Sequence, residues 1–425
     1  MKYPEIFAMF LFTVSISAQS YLGTLNYGKS TINYKIKLTK IDNHTNALFS
    51  SVEMNAYEIP CRNSSLQQDS LKFYVVSDYY TYEYKYIKQN ENFKGLLKIY
   101  SNENEQLLNT LETELIPENK IERDLIKKQD LRFTSNGLKL YGTLWEPKNP
   151  IQKGLFFVTS SQGNNRSGSN AEASYFVNLG YTVFNYDKRG TGKSEGNWQS
   201  ATIEELCSDD INAILFFSET TSLPLSEIGI KGSSQGGIKI PYILTEIPAL
   251  KFGISVSCPS GSLLESDLNN WENANIELIG KENIKAAYKV QKAGYDYLAN
   301  NLSYKKLMAV TKKYKNKSWF KYIWIPEENI QKDYKLNFTG LPYFKKLSQP
   351  ILVMQGLSDN VIPRDSYKII EKAIKKSESK KYKILTLQNA THSMTILDKA
   401  FPYFQILSPQ YLVSIVNWMR TIENN

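Results

Sequence analysis

The stretch "IGIKGSSQGGIKI" (Ile228–Ile240) carries the pattern G-x-S-x-G in Gly232, Ser233, Ser234, Gln235 and Gly236. An apolar strand-like run precedes it and a helical run follows. That setting lifts a serine onto a strained strand-to-helix turn. The flanking residues must be small, so that strand and helix can approach each other. The serine hydroxyl then stands at the C-terminal edge of a sheet. The nearby helix N-terminus, partly positive, favours an oxyanion developing there. A glycine-rich turn without chemistry is the bland alternative, and the strand and helix around it weigh against that.

A serine hydroxyl is a poor nucleophile until a base takes its proton. The 425 residues contain only two histidines. His44 sits in a polar, turn-like stretch, "IDNHTN", and reads as solvated. His392, in "LQNATHSMT", follows the last strand-like run and precedes a C-terminal helix, so it is the candidate base. An imidazole base needs a carboxylate to fix its tautomer. Asp359 stands in a turn just after the apolar run of "ILVMQGLSDNVIP". Glu265 and Asp267, beyond the strand ending near Cys258, are the reserve candidates. The chain order Ser234, Asp359, His392 is the one this chemistry uses on a strand-to-helix serine turn.

Outward from this centre, strands alternate with helices. "GLFFVTS", "YTVFNYD", "EIGIKG", "KFGISVSC", "PILVMQG" and "YKILTLQ" read as strands. "NAEASYFVNLG", "TIEELCSDDINAILFFSET", "GGIKIPYILTEI" and "PQYLVSIVNWMRTI" read as helices, the second opened by a capping box of Thr202 and Glu205. Upstream, "DLRFTSNGLKLYGTLWEP" is a hairpin turning at Asn136–Gly137. Such alternation implies a mostly parallel sheet covered by helices on both faces. Residues 261–349 interrupt it with little strand signal, and "NIKAAYKVQKAGYDYLANNLSYKKLMAV" looks helical. An insertion of that length after a sheet strand reads as a lid. It carries Lys305, Lys306, Lys312, Lys313, Lys315, Lys317 and Lys321 among aromatic residues. A solvated helix face is the first reading of that cluster, and a surface for acidic glycans or membrane is the second.

Residues 19–118 read differently, as short strands rich in Tyr, Phe, Ile, Leu and Val. They imply a small antiparallel sheet or barrel, joined through "ELIPENKIERDL" (Glu114–Leu125) to the domain spanning residues 119–425. The opening "MKYPEIFAMFLFTVSISAQS" has a charged start, a short apolar middle and small residues ending at Ala18. That is the order of a signal peptide over residues 1–18, which implies an exported chain, periplasmic or secreted. No later run is apolar for long enough to span a bilayer. The net charge of +9 comes without a zinc-finger spacing or arginine-rich tract, which disfavours nucleic acid as a partner. Cys61, Cys207 and Cys258 leave at least one thiol without an intramolecular partner, and buried apolar thiols are the plainer reading of all three.

"DKRGTGKSEG" (Asp187–Gly196) ends like a phosphate-binding loop, but the position that such a loop opens on with glycine holds Asp187. Taken with the serine turn, the G-x-x-D turn (Gly356–Asp359) and the late histidine, it resembles the "DxRGxGxS" loop of the α/β-hydrolase fold. The resemblance covers residues 125–425. The whole chain is similar to a narrower group, exported bacterial esterases with a β-domain before the hydrolase. In that group the third sheet strand ends in a small-residue loop, often S-G-S-G-P-Q-D-R, that supplies an oxyanion N–H. Here the loop reads "TSSQGNNR" (Thr159–Arg166), with Ser160 and Gln162 in place of the usual glycines. By position the resemblance implies Ser161 N–H, beside Gln235 N–H, as the oxyanion donors.

These readings converge on a serine hydrolase of carboxylic esters, with a small-molecule or glycan-linked substrate and no metal or cofactor. An aminopeptidase-like amide hydrolase and an acyltransferase share the same machinery. A peptidase would also need carboxylates in the lid to grip a substrate amine. A non-catalytic binding protein is disfavoured by the intact serine, aspartate and histidine.

Overall fold

The computed structural model describes residues 17–27, 30–41, 44–118, 126–161, 163 and 165–423. The chain divides into two units, Met1–Asp124 with Asp398–Phe404, and Leu125–Leu397 with Gln405–Asn425.

The first unit is a nine-stranded sheet in which every neighbouring pair is antiparallel. Its strands are Ser17–Tyr27, Ser30–Ile41, His44–Ser51, Ala56–Pro60, Arg62–Gln67, Ser70–Val76, Tyr80–Gln89, Asn92–Ser101 and Leu107–Pro117. The first strand sits mid-sheet, between the second and the ninth. Period-two alternation buries one face: Ile32, Tyr34, Ile36 and Leu38 point inward along the second strand. The interior is aromatic, with Tyr34 stacked on Phe49 and Phe73 on Tyr84. Buried hydroxyls need partners, and Tyr34 finds them in the Tyr86 hydroxyl at 2.6 Å and in Thr113. The excursion 398–404 completes this unit. Phe401 and Phe404 are buried, Phe404 stacks on Tyr82, and the Tyr82 hydroxyl donates to the Tyr403 carbonyl at 2.8 Å.

The ninth strand runs to Pro117, so the stretch read as a linker opens with four strand residues, Glu114–Pro117, and residues 119–125 lie outside the described residues. Of the signal-peptide reading, residues 1–16 also lie outside them, whereas Ser17 and Ala18 open the first strand.

The second unit is built on eight strands: β1 (Ile126–Ser135), β2 (Leu138–Pro147), β3 (Gly154–Phe157), β4 (Thr182–Tyr186), β5 (Ile228–Ser233), β6 (Phe252–Val256), β7 (Ile351–Gly356) and β8 (Tyr382–Leu387). They lie in the order β1-β2-β4-β3-β5-β6-β7-β8, antiparallel as far as the β2–β4 pair and parallel beyond it. The central strands are buried along their length save for Ser233 at the end of β5, as a sheet covered on both faces requires. The helices are α1 (Asn170–Asn178), α2 (Ile203–Thr221), α3 (Gln235–Glu246), α4 (Leu263–Ile279), α5 (Ile284–Leu298), α6 (Tyr304–Tyr314), α7 (Leu341–Phe344), α8 (Ser366–Ile374) and α9 (Gln410–Glu423). This strand order and helix placement are the α/β-hydrolase fold.

Local chemistry explains the boundaries. Asn136 (φ 48°) and Gly137 (φ 81°) make the primed turn of the β1–β2 hairpin. Thr202 and Glu205 close the capping box of α2. The insertion between β6 and β7 holds α4 to α7, and the run read as helical forms two helices, α5 and α6, parted at Asn300, which takes a left-handed conformation (φ 64°). The lysines of α6 and the turn after it are exposed, while Trp319 is buried against Tyr314 and Phe320, so the basic cluster forms a solvated face over an aromatic core. Cys61, Cys207 and Cys258 are free thiols, with Cys207 and Cys258 buried.

Candidate active site

Ser234 lies between the last residue of β5 and the first of α3, at φ 56° and ψ −119°. A non-glycine residue held there stores strain, and its neighbours explain how the turn keeps it. A Cβ on Gly232 would stand 2.5 Å from the Gly236 carbonyl, and one on Gly237 would stand 2.9 Å from the Val256 carbonyl oxygen. Only glycines let β5, β6 and α3 close this tightly. The Ser234 N–H donates to the Val256 carbonyl at 2.9 Å, and its carbonyl accepts from Ile238 N–H in the first turn of α3. Gln235 follows as the first residue of α3, where backbone N–H groups have no partner inside the helix.

His392 and Asp359 meet. His392 Nδ1 lies 2.8 Å from Asp359 Oδ2. Asp359 Oδ1 accepts from the N–H groups of Val361 (2.8 Å) and Ile362 (3.2 Å), so the buried carboxylate is held in one orientation. With Nδ1–H given to the carboxylate, Nε2 is the ring's free acceptor. The close approach of the two loops depends on Gly356, where a Cβ would fall 2.2 Å from the Ala390 carbonyl oxygen. The end of β6 ties this pair to the serine turn. Val256 binds the Ser234 N–H, and the next residue, Ser257, donates its hydroxyl to the His392 carbonyl at 2.7 Å. The reserve carboxylates go elsewhere: Glu265 closes the capping box of α4 with Ser262, and Asp267 lies further along that helix.

The loop after β3 is drawn to the same turn. Val158 N–H donates to the Lys231 carbonyl at 2.8 Å, and the Ser160 hydroxyl donates to the Ser233 carbonyl at 2.9 Å. Thr159 N–H and hydroxyl both reach Asp210 Oδ1 at 3.2 Å. Ser161 follows, half-buried, and Gln162 lies outside the described residues. Asp210 is fully buried on α2 and pairs with the equally buried Lys239 of α3 at 2.6 Å. Lys239 also donates to the Thr159 hydroxyl at 2.8 Å, and Tyr186 donates to Asp210 at 2.8 Å. Burial and this carboxylate push the Tyr186 phenol well above its ordinary range. None of this buried network comes out of motif reading. Its traces in the sequence are charges on apolar faces, Asp209 and Asp210 in α2 and Lys239 in α3.

The "DKRGTGKSEG" loop wraps a carboxylate instead of a phosphate. Asp187 accepts from Arg166 N–H (3.0 Å), the Arg166 guanidinium (2.6 Å) and Lys193 N–H (3.0 Å). Gly192, at φ 53°, passes so close that a Cβ would sit 2.3 Å from Asp187 Oδ2. The Ser194 hydroxyl donates to the Asp187 carbonyl at 2.6 Å and accepts from Tyr141 N–H. Above the site, α4 reaches the acid turn: Asn273 donates to the Asn360 carbonyl at 2.7 Å, and Asn269 to the Val361 carbonyl at 3.0 Å. Among the described residues no group of His, Cys, Asp or Glu side chains is arranged to hold a metal, and no helix is long and apolar enough to cross a membrane.

Comparison with known proteins adds a family. Residues 102–394, more than half of the chain, match the family model described as X-Pro dipeptidyl-peptidase (S15 family). No curated protein matches the sequence. Similar solved structures include an esterase of Pyrococcus furiosus (14% identity, TM-score 0.47, covering 72% of this chain and 95% of that one). They also include Est1E of Butyrivibrio proteoclasticus with ferulic acid bound (16%, 0.45, 69% and 100%) and a proline iminopeptidase of Mycobacterium smegmatis (12%, 0.46, 69% and 98%).

Proposed function

The chain belongs to the S15 peptidase family and is a serine hydrolase, and from that premise we propose that it cleaves carboxylic esters through Ser234, His392 and Asp359. The observation that carries this reading is the 2.8 Å contact between His392 and Asp359, with the histidine's backbone tied to the strand end that also binds Ser234. His392 Nε2 takes the Ser234 proton as the hydroxyl oxygen attacks the substrate carbonyl. The carbonyl oxygen becomes an oxyanion, held by the Ser161 and Gln235 N–H groups. The imidazolium, stabilised by Asp359, protonates the leaving alcohol, and the acyl group stays on Ser234. Water, deprotonated by the same imidazole, then releases the acid.

A second reading, cleavage of an amide beside proline, is favoured by the family match and by the lid. Asp267 on α4 is exposed, yet the surrounding protein and the Asp333 carboxylate push its carboxyl up to about 6. A cation arriving between these two carboxylates would relieve their repulsion, and a substrate ammonium is such a cation.

Labelling with a fluorophosphonate, followed by peptide mapping, tests the nucleophile. The adduct is expected on Ser234, and Ser234→Ala is expected to abolish labelling and turnover while Ser233→Ala keeps most of both. An adduct on Ser233 would mean that the turn is one residue out of register. Parallel assays with short-chain aryl esters and an Ala-Pro anilide separate the two readings. The ester reading expects the larger kcat/KM on the ester and little change from Asp267→Asn. A larger value on the anilide, lost in Asp267→Asn, would establish the amide reading instead.

A further inference from the structure

Lys188 follows Asp187 in the loop after β4, and its side chain is buried to 1% exposure. A buried ammonium is costly unless something accepts its protons. Its Nζ donates to the Ser160 carbonyl oxygen at 2.8 Å and stands 4.6 Å from the centre of the Trp198 ring, over its face. The Ser160 carbonyl and the Ser161 N–H are the two ends of a single planar peptide group. We infer that Lys188 is a positioning residue of the oxyanion site: it fixes and polarises the Ser160–Ser161 peptide, so that Ser161 N–H is aimed and strengthened as a donor. The inference rests on the proposed role of Ser161.

The geometry leaves that peptide little freedom. Its carbonyl is held by Lys188, the Ser160 side chain is bound to the Ser233 carbonyl, and Thr159 is anchored on Asp210. A carbonyl that accepts a bond from a cation draws electron density from its own N–H, which becomes the better donor to an anion on the far side. Ser160 narrows the backbone freedom that a glycine would leave at this position, and the Lys188 contact on its carbonyl braces the peptide plane further.

The charge on the brace is adjustable. Among the described residues, the charged groups facing Lys188 include Lys239, Lys335 and Asp210, beside the Trp198 ring. Burial first, then the two lysines, lower its ammonium to about 7, with Asp210 opposing them. Below that pH the brace is cationic. Above it the neutral amine still donates a hydrogen bond, but the polarisation falls away. The oxyanion contribution to kcat therefore declines as pH rises through about 7.

The test compares the wild type with Lys188→Met, Lys188→Arg and the surface control Lys193→Met. For Lys188→Met, kcat on an aryl ester is expected to fall about 10- to 100-fold, less than the loss of an oxyanion donor itself. KM should stay within about twofold, affinity for a trifluoromethyl ketone transition-state analogue should fall with kcat, and the declining limb near neutral pH should vanish. Lys188→Arg should recover part of kcat without that limb, and Lys193→Met should match the wild type. An unchanged kcat, or a loss shared equally by KM with the analogue's affinity intact, would overturn the inference. Hydrogen exchange over residues 158–161 reads the brace without reference to turnover. Faster exchange in Lys188→Met supports the inference, and unchanged exchange counts against it. A wild type that turns over neither ester nor amide would sink the proposed reaction, while the exchange result would still judge the brace.

Discussion

Changing Asp359 to Asn puts an amide in the place of the carboxylate that faces His392 Nδ1. An amide nitrogen there cannot accept, so the ring turns its acceptor toward Asn and presents Nε2–H to the serine. The kcat of Asp359→Asn is expected to fall by about 10⁴-fold with the fold intact, measured on an aryl ester alongside circular dichroism. Near-normal activity in that variant, with a dead Glu265 or Asp267 variant, would move the acid to α4. Beneath the site, Asp210→Asn strips the fully buried Lys239 of its counter-charge. Breaking such a pair costs about 3–5 kcal/mol, so the melting temperature of the second unit should drop by roughly 6–15 °C. The double change Asp210→Leu with Lys239→Met should restore much of it, and a melt unchanged in the single variant would show that the pair contributes nothing. The contact of His392 with Asp359 and the place of Ser234 on the strand-to-helix turn could be read from the sequence, because the serine and the aspartate sit in short motifs and histidine is scarce. Lys188 and Asp210 could not. Their partners, Ser160 and Thr159, lie on a different strand's loop, and only the crossing of β3 between β4 and β5 brings them together.

The central strands of the second unit were legible because burial on both faces leaves a plain mark, a short run with no polar alternation, and the β1–β2 hairpin was legible from its Asn136–Gly137 turn. The helices at its centre carried capping or glycine signals of their own. The insertion between β6 and β7 was legible as a helical segment but not in detail. Its helices α4, α5 and α6 pack in small clusters with one another and with distant neighbours such as Leu336 and Trp319, a packing that no local pattern announces. The contacts of Asn269 and Asn273 with the acid turn give this insertion a direct hold on the candidate site. Replacing residues 281–332 by a short linker, which keeps α4 and its contacts, should therefore change the ratio of kcat/KM between small and bulky esters. An equal loss on all esters in a folded variant would mean that these helices do not shape selectivity.

For the molecule as a whole, we propose that the chain is exported and begins, when mature, at about Gln19. The first sheet tolerates such a cut: it would remove only the pairs Ser17–Lys40 and Ala18–Thr39, leaving the strand joined to the second strand from Gln19 to Tyr27 and to the ninth from Tyr21 to Leu25. N-terminal sequencing of the protein from its native host would settle it, and a chain that keeps Met1 would refute export by this route. An antiparallel sheet was readable from the strand pattern before Glu114, but its membership was not, because nothing local in "DKAFPYF" announces that residues 398–404 belong with strands three hundred positions earlier. That excursion bears on how such a protein can evolve. A gene rearrangement that deleted or exchanged everything before Leu125 would leave Phe401 and Phe404 as apolar side chains stripped of their packing. The β-domain and this seven-residue segment must therefore be inherited, lost or replaced together. Lineages that shed the domain are expected to carry a shortened or polar segment between the strands Thr395–Leu397 and Gln405–Leu407.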